Sequence, residues 1–380
     1  MAEKNIYPRF NFCGDIVIPK RNNPWVKRDT FNNSEKISLN MGIKNGMNCV
    51  YVSAQGFKND TIKTKNTDNE DIEIDWNDRF DKDTVDMVSS MRKYVVNLGE
   101  RKEFITAWDM IEYLESALTG YAEPIVVSGI YKLRPGTGAY KDRIFEEFQI
   151  QNVYAAVDGK DTPHLTMNLD LYYDKNSIDR SEEKSEGKIF MNCYTPMWSA
   201  ADAAQKMFPV SAVFNTSVLD MSKEKHKRIY DLKMRYLETK SKNPVHMNWA
   251  IGVVNGAEEK EFDESCLTDI QREFIELGLN KLEDFKPRGN IYGEKVHELR
   301  LIKPLIKDEF KECKTAADSD MTAREFEDMI YSPSEDETVD DMVKSSYKKP
   351  ATKTAKSAKP VEVEEDDDAV SYTHLTLPTK

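Results

Sequence analysis

Two alternating runs joined by an asparagine-glycine pair decide the fold: KISLNMGIKNGMNCVYVSAQGF (36–57). Apolar and polar residues alternate in KISLNMGIK (36–44) and again in NCVYVSAQGF (48–57), with the period of two expected of half-buried strands. Asn45-Gly46 lies between them, and this dipeptide is typical of the tight turns that join antiparallel strands. The stretch therefore predicts a β-hairpin.

The flanking sequence adds a strand before this hairpin and a helix after it. NFCGDIVIPK (11–20) has the composition of a strand. FITAWDMIEYLESAL (104–118) has apolar residues at helical spacing, and Gly120 suits the end of that helix. The apolar residues are Ile105, Trp108, Ile111, Leu114 and Leu118.

A second hairpin follows the helix and completes a recognisable order. PIVVSGIYKL (124–133) and RIFEEFQIQNVYAA (143–156) are expected to pair around the loop RPGTGAYKD. Three strands, a helix and two strands is the order of the five-stranded OB-fold barrel. We therefore predict a mainly β chain with α insertions, in which residues 1–157 form an OB-fold nucleic-acid-binding domain with an acidic insertion at 58–103.

Residues 158–317 are predicted to form a second α+β domain. Five segments have strand patterns: HLTMNLDLYY (164–173), KIFMNCYT (188–195), VSAVFNTSVLD (210–220), VHMNWAIGVV (245–254) and EKVHELRLIK (294–303). Three have helical patterns: WSAADAAQKMF (198–208), KEKHKRIYDLKMRYLETK (223–240) and CLTDIQREFIELGLNKL (266–282). A degenerate second OB-like barrel with helical insertions and a plain α+β domain both fit this order.

The net charge of −13 is unevenly distributed along the 380 residues. Residues 318–380 hold sixteen acidic and eight basic side chains, and 68–86 hold nine acidic and two basic ones. Because salt screens each charge within about 10 Å, the overall sign says little about binding of an anion elsewhere on the chain. Residues 318–369 are too polar and charge-blocked to form a core and are expected to be a disordered charged tail.

The cellular compartment and the absence of enzymatic chemistry are predicted from sequence patterns that the chain lacks. No apolar run is long enough for a membrane span and no signal region opens the chain, so a cytoplasmic protein is expected. PGTGAYK (135–141) lacks the spacing of a phosphate-binding loop, and the histidines and cysteines show no ligand spacing. Asp71, Glu73 and Asp75 share one strand face, which fits a solvated acidic edge better than a metal site. No enzyme, cofactor or metal is predicted.

Cations interleaved with aromatic residues occupy the two loops that flank the binding face of an OB fold. KRNNPWVKRDTFNN (20–33) is the first such loop and KLRPGTGAYKDR (132–143) the second. Mobile cations can neutralise phosphates, and flat aromatic rings can stack on unstacked bases. In the alternative interpretation the loops do not bind nucleic acid, and Trp25 and Phe31 fold back to cap the barrel. The predicted nucleic-acid-binding residues are Lys20, Arg21, Trp25, Lys27, Arg28 and Phe31, then Tyr131, Lys132, Arg134, Tyr140, Lys141 and Arg143, with Tyr51 and Phe57 on the third strand.

With these loops, VVSGIYK (126–132), FEEFQIQNV (145–153) and the acidic tail, the chain resembles single-stranded DNA-binding proteins, especially divergent ones of bacteriophages. The resemblance covers roughly the first 40% of the chain and the tail. It implies sequence-tolerant coating of single-stranded DNA in DNA replication or recombination in the host cytoplasm. It also implies that the tail recruits replication or recombination proteins. An RNA-binding protein and a phage structural or assembly protein using the barrel as an interaction module remain alternatives.

The last residues break with the acidic tail. VSYTHLTLPT (370–379) matches the in-frame translation of a transposase-type sequencing adapter, and a lone strand there would have no partner for its backbone groups. We expect residues 370–380 to be a sequencing-adapter artefact, and the native gene to continue past Asp368 with more acidic residues and a short apolar tip.

Overall fold

The computed structural model describes residues 7–19, 24–31, 34–136, 143–199, 202, 204–260, 267–286, 291–305 and 321–331. The predictions for residues 370–380 and for most of the tail at 318–369 lie outside these ranges. The expectation of disorder is wrong for Ala323–Met329, which form a helix. The strands are β1 (Arg9–Val17), β2 (Val26–Phe31), β3 (Ser34–Asn45), β4 (Asn48–Lys58), β5 (Thr61–Lys65), β6 (Asp71–Asp75), β7 (Tyr94–Asn97), β8 (Arg101–Phe104), β9 (Ile125–Pro135), β10 (Ile144–Ala155), β11 (His164–Tyr173), β12 (Ile178–Asp179), β13 (Lys188–Ser199), β14 (Ala204–Asn215), β15 (Val245–Lys260) and β16 (Ile291–Pro304). The helices are α1 (Lys82–Met87), α2 (Ala107–Ala117), α3 (Glu224–Leu237), α4 (Asp269–Glu276) and α5 (Ala323–Met329), with short 3-10 turns at Trp76–Asp78, Ser90–Arg92 and Leu282–Phe285.

The first half closes into a five-stranded barrel, as the order of elements predicts. Antiparallel pairing joins β1 to β3, β3 to β4, β10 to β9 and β9 back to β1. One parallel contact, between Ser53 of β4 and Gln149 of β10, completes the ring. This is the topology of an OB fold, with α2 inserted between its third and fourth strands.

Helix α2 packs on the barrel through the apolar residues that its sequence pattern predicts. Trp108, Ile111 and Leu114 are all buried, and the Thr106 side chain caps the helix by accepting from the Asp109 amide at 3.1 Å. A Cβ on Gly56 of β4 would lie 2.4 Å from the Trp108 amide nitrogen, so the strand approaches the helix where only glycine fits.

The predicted turn at Asn45-Gly46 is confirmed with a shift of one residue. Asn45 pairs directly with Asn48, so Gly46 and Met47 are the two central residues of the turn. Gly46 has a φ of 60° and Met47 is not among the residues with positive φ, which is the pattern of a type II′ turn.

The second half repeats the same ring and resolves the two architectures left open for it. Antiparallel pairing joins β11 to β13, β13 to β14, β15 to β16 and β15 back to β11. β14 and β16 are parallel at Ala212–Val213, and α3 lies between the third and fourth strands of the ring. The second half is therefore also an OB-type barrel. The boundary between residues 157 and 158 stays a prediction.

Strand β1 belongs to both barrels. Its residues Arg9–Cys13 pair with β9 on one side and with β11 on the other. Strands of both barrels therefore form one fourteen-stranded sheet, and their buried side chains form one apolar cluster.

Two further sequence expectations are wrong in their secondary structure. WSAADAAQKMF (198–208) is predicted to be a helix, but Ser199 ends β13 and pairs with Ala204, which begins β14. Residues 20–33 are predicted to be a loop, but Val26–Phe31 form β2 along β3. In both places pairing with a neighbouring strand outweighs local propensity.

The acidic insertion folds on its own small core. β5 pairs with β6, and Ile74, Val88 and Ile105 form a separate buried cluster. The carboxylates of Asp71, Glu73 and Asp75 are exposed on one face of β6, as the alternation predicts. Over the described ranges, no helix combines the length and the apolar character needed to cross a membrane.

Candidate nucleic-acid interface

An exposed aromatic pair lies on the outer face of the first barrel. The rings of Phe31 on β2 and Phe57 on β4 have centroids 6.2 Å apart, and their exposed fractions are 55% and 38%. Lys36 of β3 pairs directly with Phe57, and its Nζ lies 5.8 Å from the Phe31 centroid and 5.9 Å from that of Phe57. One lysine and two rings therefore form a compact cation–π cluster that faces solvent.

The other described residues of the first loop are either packed against the core or held in ion pairs. Trp25 packs partly against the core, which favours the alternative in which this ring caps the barrel. Arg28 donates to both carboxylate oxygens of Glu115 on α2, at 2.7 and 3.2 Å, and this bond raises the pKa of the guanidinium. Lys27 forms an ion pair with Asp29 at 2.9 Å. Lys20 and Arg21 lie outside the described residues.

The prediction that Tyr131 stacks on a base is wrong. Its side chain is fully buried on the inner face of β9, where its hydroxyl donates to Glu146 at 2.9 Å. Burial raises the pKa of this phenol well above its usual range. A ring enclosed in the barrel core has no face to offer a base.

The cations of β9 lie on its outer face. The Nζ of Lys132 lies 5.0 Å from the centroid of the Tyr7 ring. Burial lowers the pKa of this ammonium group. Arg134 is an ion-pair partner of Glu147 at 3.3 Å, with 61% of its side chain exposed. Arg143 lies at the start of β10, where its carbonyl accepts from the Gly136 amide at 2.7 Å. Tyr140 and Lys141 lie outside the described residues.

The Phe31–Phe57 pair and the β9 cations share one continuous outer face of the barrel but lie at opposite ends of it. Asn40 pairs with Ser53, Ser53 with Gln149, and Gln149 with Ile130, so one row crosses β3, β4, β10 and β9. Phe57 lies four residues after Ser53, whereas Phe145, which pairs with Arg134, lies four residues before Gln149. Because β4 and β10 are parallel, the Phe31–Phe57 pair and Arg134 flank this row roughly 25 Å apart along the strands. Tyr51 of β4 is half-buried on the Arg134 side of the row.

Sequence reasoning missed a further cation–π stack, in the acidic insertion. The guanidinium carbon of Arg79 lies 4.2 Å from the ring centroids of both Trp76 and Phe80, and Arg79 pairs with the buried Asp109 at 3.1 Å. This stack borders a cleft of about 600 Å³ that also contains Lys36. The cleft is lined by Arg28, Asp29, Thr30, Glu35, Lys36, Lys58, Trp76, Arg79, Trp108 and Glu112.

The outer face carries groups that can bind a nucleic acid. Across the part of the chain that the structure describes, no group of three or more histidine, cysteine, aspartate or glutamate side chains is placed to hold a metal ion. The carboxylates of the face, Asp29 and Glu147, form ion pairs. Its other groups are rings, amides, hydroxyls and cations. Such groups can stack on bases and neutralise phosphates.

Neither a protein-family model nor a curated protein matches the sequence. Among solved structures, the chain is similar to the wild-type single-stranded DNA binding protein from Thermus aquaticus. That match has 9% identity and a TM-score of 0.28 over 70% of this chain and 98% of the other. A deletion mutant of the same Thermus aquaticus protein gives 9% identity and a TM-score of 0.29 over 65% of this chain and 86% of the other. At such scores the likeness carries no argument, and the OB-type topology stands on the strand pairings of this chain.

Proposed function

We propose that this chain binds single-stranded DNA, without strong sequence preference, across the outer face of its first barrel. The observation that carries the proposal is the exposed Phe31–Phe57 pair with Lys36 between its rings. Large aromatic side chains are usually buried, yet the ring of Phe57 is exposed on the third strand of the barrel, where OB folds bind oligonucleotides. Phe31 lies beside it on β2, which pairs with the second strand, β3. Lys132 and Arg134 extend the face with positive charge at its other end.

The biological setting is a further part of the proposal. We infer a non-enzymatic role in protecting single strands during replication or recombination, in a bacteriophage and hence in its host's cytoplasm. The acidic tail would then recruit replication or recombination proteins. The support is the sequence resemblance together with the charge pattern of residues 318–368.

A titration with oligo-dT and oligo-U tests the proposal. Intrinsic fluorescence should report on binding, because Trp76 and Trp108 border the cleft that contains Lys36. We expect quenching by oligo-dT that weakens steeply with salt. Tighter binding of oligo-U would instead support the RNA-binding alternative. Absence of binding to either would favour the barrel as a structural or assembly module.

The cations should differ in their contribution to the salt dependence. Removing one cation that neutralises a phosphate of a single strand reduces the slope of log affinity against log salt by about 0.7. We expect about that change for Lys36→Ala. Arg28→Ala and Arg134→Ala should change the slope less, because Glu115 and Glu147 already neutralise these two guanidinium groups. The measurement is oligo-dT affinity at four or more salt concentrations, with Lys225→Ala on α3 as the control.

Equal slopes for all four variants and the wild type would contradict the placement of the phosphates on this face. A change for Lys225→Ala as large as for Lys36→Ala would indicate non-specific charge attraction.

A further inference from the structure

The second barrel has an aromatic face of its own. Tyr172 of β11 and Tyr194 of β13 pair directly across the two strands. His246 of β15 stacks on Tyr172, with centroids 4.6 Å apart and planes within 8°. We call Tyr172, Tyr194 and His246 the tyrosine face.

A segment from the far end of the described chain covers the tyrosine face. This segment is MTAREFEDMIY (321–331), which contains α5 and which we call the docking segment. The Phe326 ring meets Tyr194 edge-on at 5.1 Å and lies 6.3 Å from Tyr172 at a shallow angle. Phe326 thus contacts both tyrosines.

The end of the docking segment adds to the edge of strand β14. Ile330 forms a parallel bridge with Met207, and the Tyr331 amide donates to the Met207 carbonyl at 2.9 Å. The Tyr331 ring stacks on Phe208 with centroids 4.6 Å apart. Among the described strands, β16 pairs with β14 at Ala212–Val213 alone. The residues of β14 before Ala212 therefore offer an edge with which an extended peptide can pair.

The docking segment resembles a bound peptide more than a part of the core. None of its residues is buried, whereas Met207 and Phe208 beneath it are 1% and 2% exposed. A seven-residue helix is too short to persist alone in water, so α5 depends on the face that it contacts. Its local stabilisation comes from a capping box between Thr322 and Glu325.

The composition of this site favours a peptide over a nucleic acid. The groove between α5 and the barrel, of about 410 Å³, is lined by one lysine, Lys242, against the carboxylates Asp174 and Glu327. A nucleic-acid face needs several cations to replace the counterions of the phosphates. An apolar edge with aromatic pockets instead fits β-augmentation by a peptide.

We propose that the second barrel is a peptide-binding site for the docking segment, which it accepts from its own chain or from a second copy. The site would recognise Phe326, an aromatic side chain in a short acidic helix, together with Ile330 and Tyr331, which follow it four and five residues later. Fifteen residues, 306–320, lie between Leu305, which follows β16, and the docking segment. That length can span roughly 50 Å when extended, enough to reach a neighbouring molecule. Exchange of the segment would join copies of the chain without nucleic acid.

A labelled peptide of residues 319–333 tests the proposal in the full-length chain. Phe326→Ala/Tyr331→Ala should vacate the site, because it removes both rings of the docking segment. We expect the peptide to saturate this variant in fluorescence anisotropy and to bind the wild type at least about tenfold more weakly, because the tethered segment competes at high effective concentration. A peptide carrying the same two alanines is the control and should not bind. Adding Tyr194→Ala to the vacated variant should abolish binding.

Complementary variants test exchange between copies. Tyr172→Ala/Tyr194→Ala should release the docking segment while removing its receptor. Mixed with the vacated variant, it should give a heterodimer in sedimentation velocity that neither variant forms alone. Circular dichroism melts verify that both are folded, and if the tyrosine variant unfolds, the peptide titration alone decides.

Two results would overturn the proposal. The first is equal peptide affinity for the wild type and the vacated variant, or binding to neither. The second is an additional equivalent of oligo-dT bound by the vacated variant without any peptide binding, which would make the tyrosine face a nucleic-acid site.

Discussion

Replacing Phe31 and Phe57 together with alanine should weaken binding of oligo-dT by about 2–6 kcal/mol, because each ring that stacks on a base contributes about 1–3 kcal/mol. Each single variant should lose about 5- to 150-fold in affinity. Both rings are exposed, so the melting temperature should hardly change. Lys36 would remain, but its ammonium would no longer be held between two rings. The measurement is oligo-dT affinity at fixed salt, alongside a thermal melt.

Phe274→Ala provides the matched control for this prediction. Phe274 is an exposed phenylalanine on α4, 43% accessible, in the second half of the chain. Its replacement should leave oligo-dT affinity unchanged. If the double variant binds oligo-dT as tightly as the wild type, the outer face of β2–β4 is not the site. An equal loss for Phe274→Ala would also remove the argument for this face.

The second large effect concerns stability. Gly129→Ala should destabilise the chain by about 3 kcal/mol or more, since overpacking commonly costs 1–3 kcal/mol and here the clash is with rigid backbone. A Cβ on Gly129 would lie 1.8 Å from the carbonyl oxygen of Gln149 and 3.0 Å from the Phe10 ring. Strands β9 and β10 would have to separate at the point where their register already shifts, between Ile150 and Asn152. For a chain of this length the expected fall in Tm is roughly 4 °C or more.

A glycine in the corresponding strand of the second barrel separates this clash from the general effect of adding a methyl group. Gly252 lies on β15, which is the fourth strand of its ring as β9 is of the first. A Cβ there would meet Ile302 Cδ1 at 3.4 Å, an ordinary contact with a movable side chain. Gly252→Ala should therefore change stability by less than about 1 kcal/mol. Indistinguishable melting curves for the two variants would show that the strands yield freely at Gly129.

Local patterns predicted the elements whose cause is local. The first hairpin and α2 follow from alternation, a glycine turn and helical spacing, and their predicted residues are buried as expected. Residues 198–208 are alanine-rich, and pairing between β13 and β14 overrides their local preference for a helix. The second barrel closes through contact of Ala212–Val213 with Leu299–Arg300, residues more than eighty positions apart. No local pattern encodes such a contact.

Part of the candidate site could also be predicted from local patterns in the sequence. Tyr131 shares its parity with Ile125 and Val127 along β9, so alternation already placed it on the inner face. Lys36 was missed, yet the hairpin register puts it directly opposite Phe57. Arg79 lies within residues 68–86, which hold nine acidic side chains, and this negative net charge concealed a cation that contacts two rings.

The position of β1 in two barrels has a consequence for synthesis of the chain. Ribosomes release a protein from its N-terminus at about 5–20 residues per second, and domains usually fold as they emerge. Here Arg9 pairs with Ile130 of β9 and with Asn168 of β11. The edge of β1 that pairs with β11 therefore stays unpaired until β11 has been synthesised. A nascent chain or expressed fragment ending at residue 157 would present the open edge of Arg9–Cys13 to other chains, and unpaired edges promote aggregation. A fragment extended through Tyr173 would supply β11 and cover it.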